Sequence, residues 1–151
     1  MKRQIVLEII CFLFILLFAY AAVIKLLDYQ KFTVQIGQSP LLTGFGDLIP
    51  WLVISIELVI SIALLFQRVR LIAFFASFSL MVMFTSYVIA ILLFSPYVPC
   101  SCGGVLEKMG WTEHLVFNTA FIILGFIGIT LQSSKKIFPV LREKISKSKN
   151  E

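Results

Sequence analysis

Four apolar runs, each about as long as a bilayer is thick, decide what this chain can become. They cover about Ile5–Leu27, Leu48–Phe66, Leu71–Phe94 and Leu115–Leu131. A hydrocarbon core of about 30 Å is crossed by roughly 20 apolar residues in a helix. With no water available, the backbone must satisfy its own polar groups, so such runs span as helices. A composition of 60% hydrophobic and 14% charged residues leaves no material for a soluble domain beside them. The expected fold is all-α: a polytopic membrane protein, a four-transmembrane-helix bundle with a short amphipathic outer helix. Its membrane domain covers residues 1–132, and a basic tail, 133–151, is too short to fold alone. The first run exceeds a signal-peptide core of roughly 7–15 residues, and further spans follow it, so it reads as a span.

Charge gives the orientation. If four helices alternate, Lys2, Arg3, Arg68, Arg70, Lys135, Lys136, Arg142, Lys144, Lys147 and Lys149 fall on one side. Only Lys25, Lys31 and Lys108 fall on the other. Cytoplasmic loops carry the excess of Lys and Arg. The expectation is a multi-pass protein of a bacterial inner membrane with both termini cytoplasmic. The net charge of +5 follows from this asymmetry and from a tail suited to anionic lipid, so it implies no nucleic-acid partner.

The outward connections differ from the inward one. Gln67-Arg68-Val69-Arg70 is a tight turn that makes the second and third spans antiparallel neighbours. The first outer segment, Asp28 to Asp47, places Tyr29, Phe32 and Ile36 on one helical stripe. Asp28 can cap that helix, and Gly37 with Pro40 can end it. A short amphipathic helix in the headgroup region fits, and a simple loop with scattered apolar residues is the alternative.

The second outer segment concentrates the reactive side chains. Pro96 and Pro99 bias the chain to an extended exit from the membrane. Cys100-Ser101-Cys102 follows, then Gly103-Gly104, which free the backbone beyond the thiols. Disulfides form and persist on the outer side of such a membrane. A disulfide between residues i and i+2 closes a small, strained ring, and strained disulfides are the labile or catalytic ones. The residues thus favour thiol–disulfide exchange. A structural disulfide, free thiols, and a metal site using Cys100, Cys102 and His114 stand as alternatives. Trp111 suits an interface anchor, Thr112 a helix N-cap and Glu113 the first turn. His114 can stabilise a thiolate from a helix N-terminus, or sit as a plain interface histidine. Cys11, deep in the first span, reads as a small apolar packing residue.

Polar groups inside the spans are the remaining signal. Glu57 lies midway along the second span, where an ionised carboxylate is costly unless paired, protonated or wetted. Ser61 lies one turn further along its face. Lys25 closes the first span with Asp28 three residues on, and Asn118 shares a face with His114. A Lys25–Glu57 contact satisfies both groups; otherwise Lys25 snorkels to the headgroups and Glu57 is protonated. Lys25, Asp28, Glu57 and Asn118 are the candidate polar residues of the membrane core. Glu8, near the cytoplasmic end, is expected to reach the interface.

Together, Lys25 in Ala21-Ala22-Val23-Ile24-Lys25-Leu26-Leu27-Asp28, Glu57 in Pro50-Trp51-Leu52-Val53-Ile54-Ser55-Ile56-Glu57-Leu58 and a Cys-x-Cys-Gly pattern before the last span carry a resemblance. The chain resembles the DoxX-like superfamily and, within it, the MauE family of methylamine-utilisation membrane proteins, up to about Gln132. Gly103 stands where that family commonly has an aromatic residue, which suggests a distinct branch. The resemblance implies a part in periplasmic disulfide formation or electron delivery beside a thioredoxin-like partner, with Cys100 and Cys102 exchanging. Quinone-linked disulfide generators use two cysteine pairs, and this chain has one. It is therefore expected to be one station in a relay with a thioredoxin-like or client protein. The alternative is a bundle that brings a quinone directly to Cys100 and Cys102; no other cofactor is implied. A different class of function, a non-catalytic subunit or accessory of an envelope complex with a structural or docking Cys-x-Cys loop, also fits.

Overall fold

The computed structural model describes residues 2–37, 48–94 and 111–148. They form α1 (Lys2–Leu27), α2 (Tyr29–Gly37), α3 (Leu48–Leu65), α4 (Arg70–Phe94) and α5 (Trp111–Ser148). All but α2 are long and apolar enough to cross a membrane. The protein is an all-α polytopic membrane bundle. α1 packs on α3, α3 on α4, α4 on α5 and α5 back on α1, while α2 lies against α1 and α3 at one end.

Hydrophobicity cannot choose the inward face of such helices, because every side of them is apolar. On α1 the buried residues are Leu7, Ile10, Cys11, Phe14, Phe18, Ala22 and Lys25, recurring every three or four positions. The exposed side is equally greasy, with Ile5, Ile9, Phe12 and Leu16 turned outward. Shape and sparse polar groups decide instead, as lipid tails offer no penalty to exposed aliphatic surface. Phe14 is the hub. Its ring stacks on Phe18 at 5.9 Å and meets Phe74 of α4 and Phe121 of α5 edge-on at 6.1 and 5.3 Å. A bare backbone makes room for this hub: a Cβ on Gly128 would lie 2.7 Å from the Phe74 ring.

Several hydroxyls are satisfied within their own helices. Ser77 donates to the Ala73 carbonyl, Thr85 to Met81 and Thr119 to Leu115. Each of these i−4 bonds satisfies its donor without a partner from another helix. Between helices, Cys11 Sγ donates to the Leu64 carbonyl at 3.3 Å and Ser61 Oγ to the Ile15 carbonyl at 3.2 Å. These two contacts fix the antiparallel register of α1 and α3.

The α3–α4 connection is the expected tight turn. The Phe66 and Val69 amides donate to the carbonyls of Ala63 and Phe66. Arg70 then turns back: its Nε donates to the Leu64 carbonyl, satisfying the end of α3, and its Nη1 pairs with Glu8 of α1 at 2.8 Å. Glu8 stays half-exposed at that end of the bundle.

Helix ends depart from the sequence expectation. α1 begins at Lys2 rather than near Ile5, and α5 runs from Trp111 to Ser148 rather than from 115 to 131. The basic tail continues the last span as helix through residue 148. Extending a nucleated helix costs little per residue, and Lys, Arg, Glu and Leu are good helix formers. Thr112 consequently lies inside the first turn of α5, not at its N-cap.

Candidate functional site

The most polar part of the membrane interior lies toward the end of the bundle where α1 and α4 finish and α3 and α5 begin. The Lys25 ammonium donates to Glu57 Oε1. Helix geometry explains how two residues on different helices meet there. In the α1–α3 register Glu57 lies almost two turns, about 10 Å, deeper than Lys25. Side chains tilt toward the N-terminus of their own helix. Lys25 therefore reaches down into the bundle from α1, and Glu57 reaches up from antiparallel α3.

Both partners are buried, with side chains 8% and 1% exposed. A lone charge at mid-membrane costs about 2.5–3.5 kcal/mol on insertion scales, so the pair is what allows either residue to be here. Aromatic faces add to it. Lys25 Nζ lies 5.5 Å from the Phe32 ring of α2 and 5.1 Å from the Phe84 ring of α4. Each such cation–π contact contributes about 0.5–2 kcal/mol. Packing Phe32 over Lys25 also gives α2 its anchor, alongside a Tyr29–Trp51 ring contact at 5.5 Å.

Beside the pair is a cavity of about 370 Å³ that all five helices help to line. Glu57 and Lys25 form one wall. His114 and Asn118, one turn apart on α5, form another and are 6% and 4% exposed. Most of the rest is apolar, including Phe84, Phe117 and Val88. Among the described residues, Glu57 Oε2 and His114 Nδ1 have no hydrogen-bond partner, although both are buried.

The structure thus gathers Lys25, Glu57, His114 and Asn118 around one cavity. Asp28 requires a correction. It is not a core residue: α1 ends at Leu27 and Asp28 occupies the exposed turn, where its backbone carbonyl accepts the Phe32 amide. A carboxylate with no partner in the bundle is better solvated outside it. Cys100 and Cys102 lie outside the described residues, as does the metal alternative that depends on them. Their segment joins the end of α4 to the start of α5, the two helix ends that supply Val88 and His114 to the cavity. Cys11 is 2% exposed and far along α1 from that end.

Sequence reading missed the aromatic partners of Lys25 and the Arg70–Glu8 pair. The chain has 15 phenylalanines, so none could be singled out. Arg70 and Glu8 are 62 positions apart. The signal available was that each charge stands at a helix end and needs a partner.

No curated protein and no solved structure matches the chain. The family described as methylamine utilisation protein MauE matches residues 3–131, which reaches into all four spans and takes in the segment between α4 and α5. This multi-pass membrane protein belongs to the MauE family.

Proposed function

We propose that the protein is an inner-membrane thiol–disulfide redox protein that works through Cys100 and Cys102 on the periplasmic side. The observation carrying this reading is the position of the pair in the sequence, between two spans. The two thiols stand one residue apart in the stretch of sequence that joins α4 to α5, and His114 of the cavity lies near the start of α5. The distribution of basic residues supports the orientation. Ten basic residues fall on the inner side against three, Lys25, Lys31 and Lys108, on the outer.

The exchange is balanced as follows. A thiolate of the pair attacks the disulfide of a thioredoxin-like partner, forming a mixed disulfide and expelling the partner's thiolate. The second cysteine then displaces the partner as a dithiol. Two electrons pass to the partner, and Cys100–Cys102 becomes the disulfide. The reverse runs through the same mixed disulfide. A second reading, a non-catalytic accessory of an envelope complex, is favoured by one observation. Cys11 is buried against Leu64, so it offers no further thiol to pass electrons along.

The test uses the full chain in lipid nanodiscs with a thioredoxin-fold protein as partner. Cys102→Ser or Cys100→Ser should trap a reductant-sensitive one-to-one adduct with the oxidised partner when the partner's expelled thiol is alkylated. The double variant should trap none. Absence of an adduct from both single variants would leave the accessory reading in its place.

A further inference from the structure

The cavity beside Lys25 and Glu57 has the chemistry of a ligand site, and its walls narrow the class. Its volume, about 370 Å³, falls at the small end of the range for organic ligands, roughly 300–1,000 Å³. That accommodates one ring system rather than a whole lipid. Two of its lining residues, Glu57 and His114, each carry a buried polar atom, Oε2 and Nδ1, without a partner among the described residues. Buried polar atoms in native proteins are normally satisfied, so each such atom asks for a ligand group.

Access is from the membrane. Leu52 of α3 and Met83 of α4 line the cavity, yet each is 54% exposed on the outside of the bundle. Tyr20 of α1 also lines it and is 38% exposed, so the cavity is bounded by side chains that face lipid. The ligand is therefore one that reaches the site from lipid.

The polar atoms choose among lipid-soluble compounds. A fatty acid would set a second carboxylate against Glu57. A simple alcohol would satisfy one wall only. A cationic lipophile would meet Lys25. A quinone–quinol couple fits both walls and both of its redox forms. As quinol, its two hydroxyls donate to the Glu57 carboxylate and to His114 Nδ1. As quinone, its carbonyls accept from Lys25 and from the other tautomer of His114. Phe84 and Phe117 supply apolar faces for the ring.

We infer that this cavity binds the head group of a membrane quinone, with Glu57 and His114 as its hydrogen-bond partners. The inference rests on the redox reading above and names its electron acceptor. The quinone takes two electrons and two protons from the Cys100 and Cys102 thiols; the ring becomes quinol and the S–S bond forms. A chain with a single reactive thiol pair then needs no second pair.

The experiment measures equilibrium binding of decyl-ubiquinone and of a short-chain menaquinone analogue, each in its quinone and quinol form, to the full chain in nanodiscs, corrected for partition into empty nanodiscs. One saturable site per chain is expected. Glu57→Gln should weaken quinol binding, and His114→Phe, which keeps the volume of the wall, should weaken both forms. A lost hydrogen bond to such groups corresponds to about ten- to a hundredfold in affinity. Cys100→Ser/Cys102→Ser should bind as tightly as the parent while forming no quinol with added dithiol. Binding without saturation, or equal binding by parent, Glu57→Gln and His114→Phe, overturns the inference even if mixed disulfides still form. Saturable binding that is lost in these variants upholds the site, even if dithiol oxidation fails and the redox reading falls with it.

Discussion

At the scale of single residues, the account turns on charges that hydrocarbon forbids. Lys25 and Glu57 are tolerable only as partners, so removing one should cost more than removing both. Breaking a buried ion pair costs about 3–5 kcal/mol, whereas replacing the pair by apolar residues is often close to neutral. Lys25→Met and Glu57→Leu are each expected to lower the unfolding temperature in detergent sharply, and the double variant to recover most of that loss. Additive losses would mean that the two side chains do not support one another. Glu57 was legible in the sequence as a misplaced charge, and Lys25 was the nearest cation to answer it. The aromatic cage was not legible. A Phe in a span that is apolar on all sides carries no mark of the direction it faces, so Phe32 and Phe84 could be assigned only once the helices were packed.

Helices in this bundle are held by close fit, and two glycines of α5 show where fit is tightest. At Gly128 a methyl group would overlap the fully buried Phe74 ring, which is itself wedged against Phe14. Gly128→Ala is expected to destabilise the α4–α5 contact by about 1–3 kcal/mol, the usual cost of overpacking. At Gly125 the same methyl would sit 3.4 Å from Phe14 and 3.5 Å from Phe78, ordinary contact distances. Gly125→Ala should therefore be neutral or gain up to about 1 kcal/mol of helix propensity. Thermal unfolding of the two variants in one detergent checks the contrast, and equal effects would contradict it. The spans themselves were readable from hydropathy because lipid imposes their length. Their ends were not, since α5 continues past the bilayer on residues that favour helix whether or not they are apolar.

For the molecule as a whole, sidedness joins fold to function. α5 has 38 residues, about 57 Å of helix, nearly twice the hydrocarbon thickness. Its last third therefore projects from the membrane on the side of Lys2, Arg3 and Arg68. Reporter fusions that are active only outside the cytoplasm should be silent at Glu151 and active near Glu107. Activity at Glu151 with silence near Glu107 would invert the orientation and remove the oxidising compartment from the argument. The Cys-x-Cys signal was visible from spacing alone, and so was its place between two spans. The cavity was not, because it is assembled from five helices whose contributions are up to about 100 positions apart in the chain.

The central claim is that Cys100 and Cys102 interconvert between dithiol and disulfide at the outer surface. A membrane-impermeant maleimide applied to intact cells tests it directly, with buried Cys11 as the internal control. Both outer cysteines should label after mild reduction and neither after oxidation, while Cys11 stays unlabelled throughout. A pair that no mild reductant opens, or that labels equally before and after oxidation, would contradict the account.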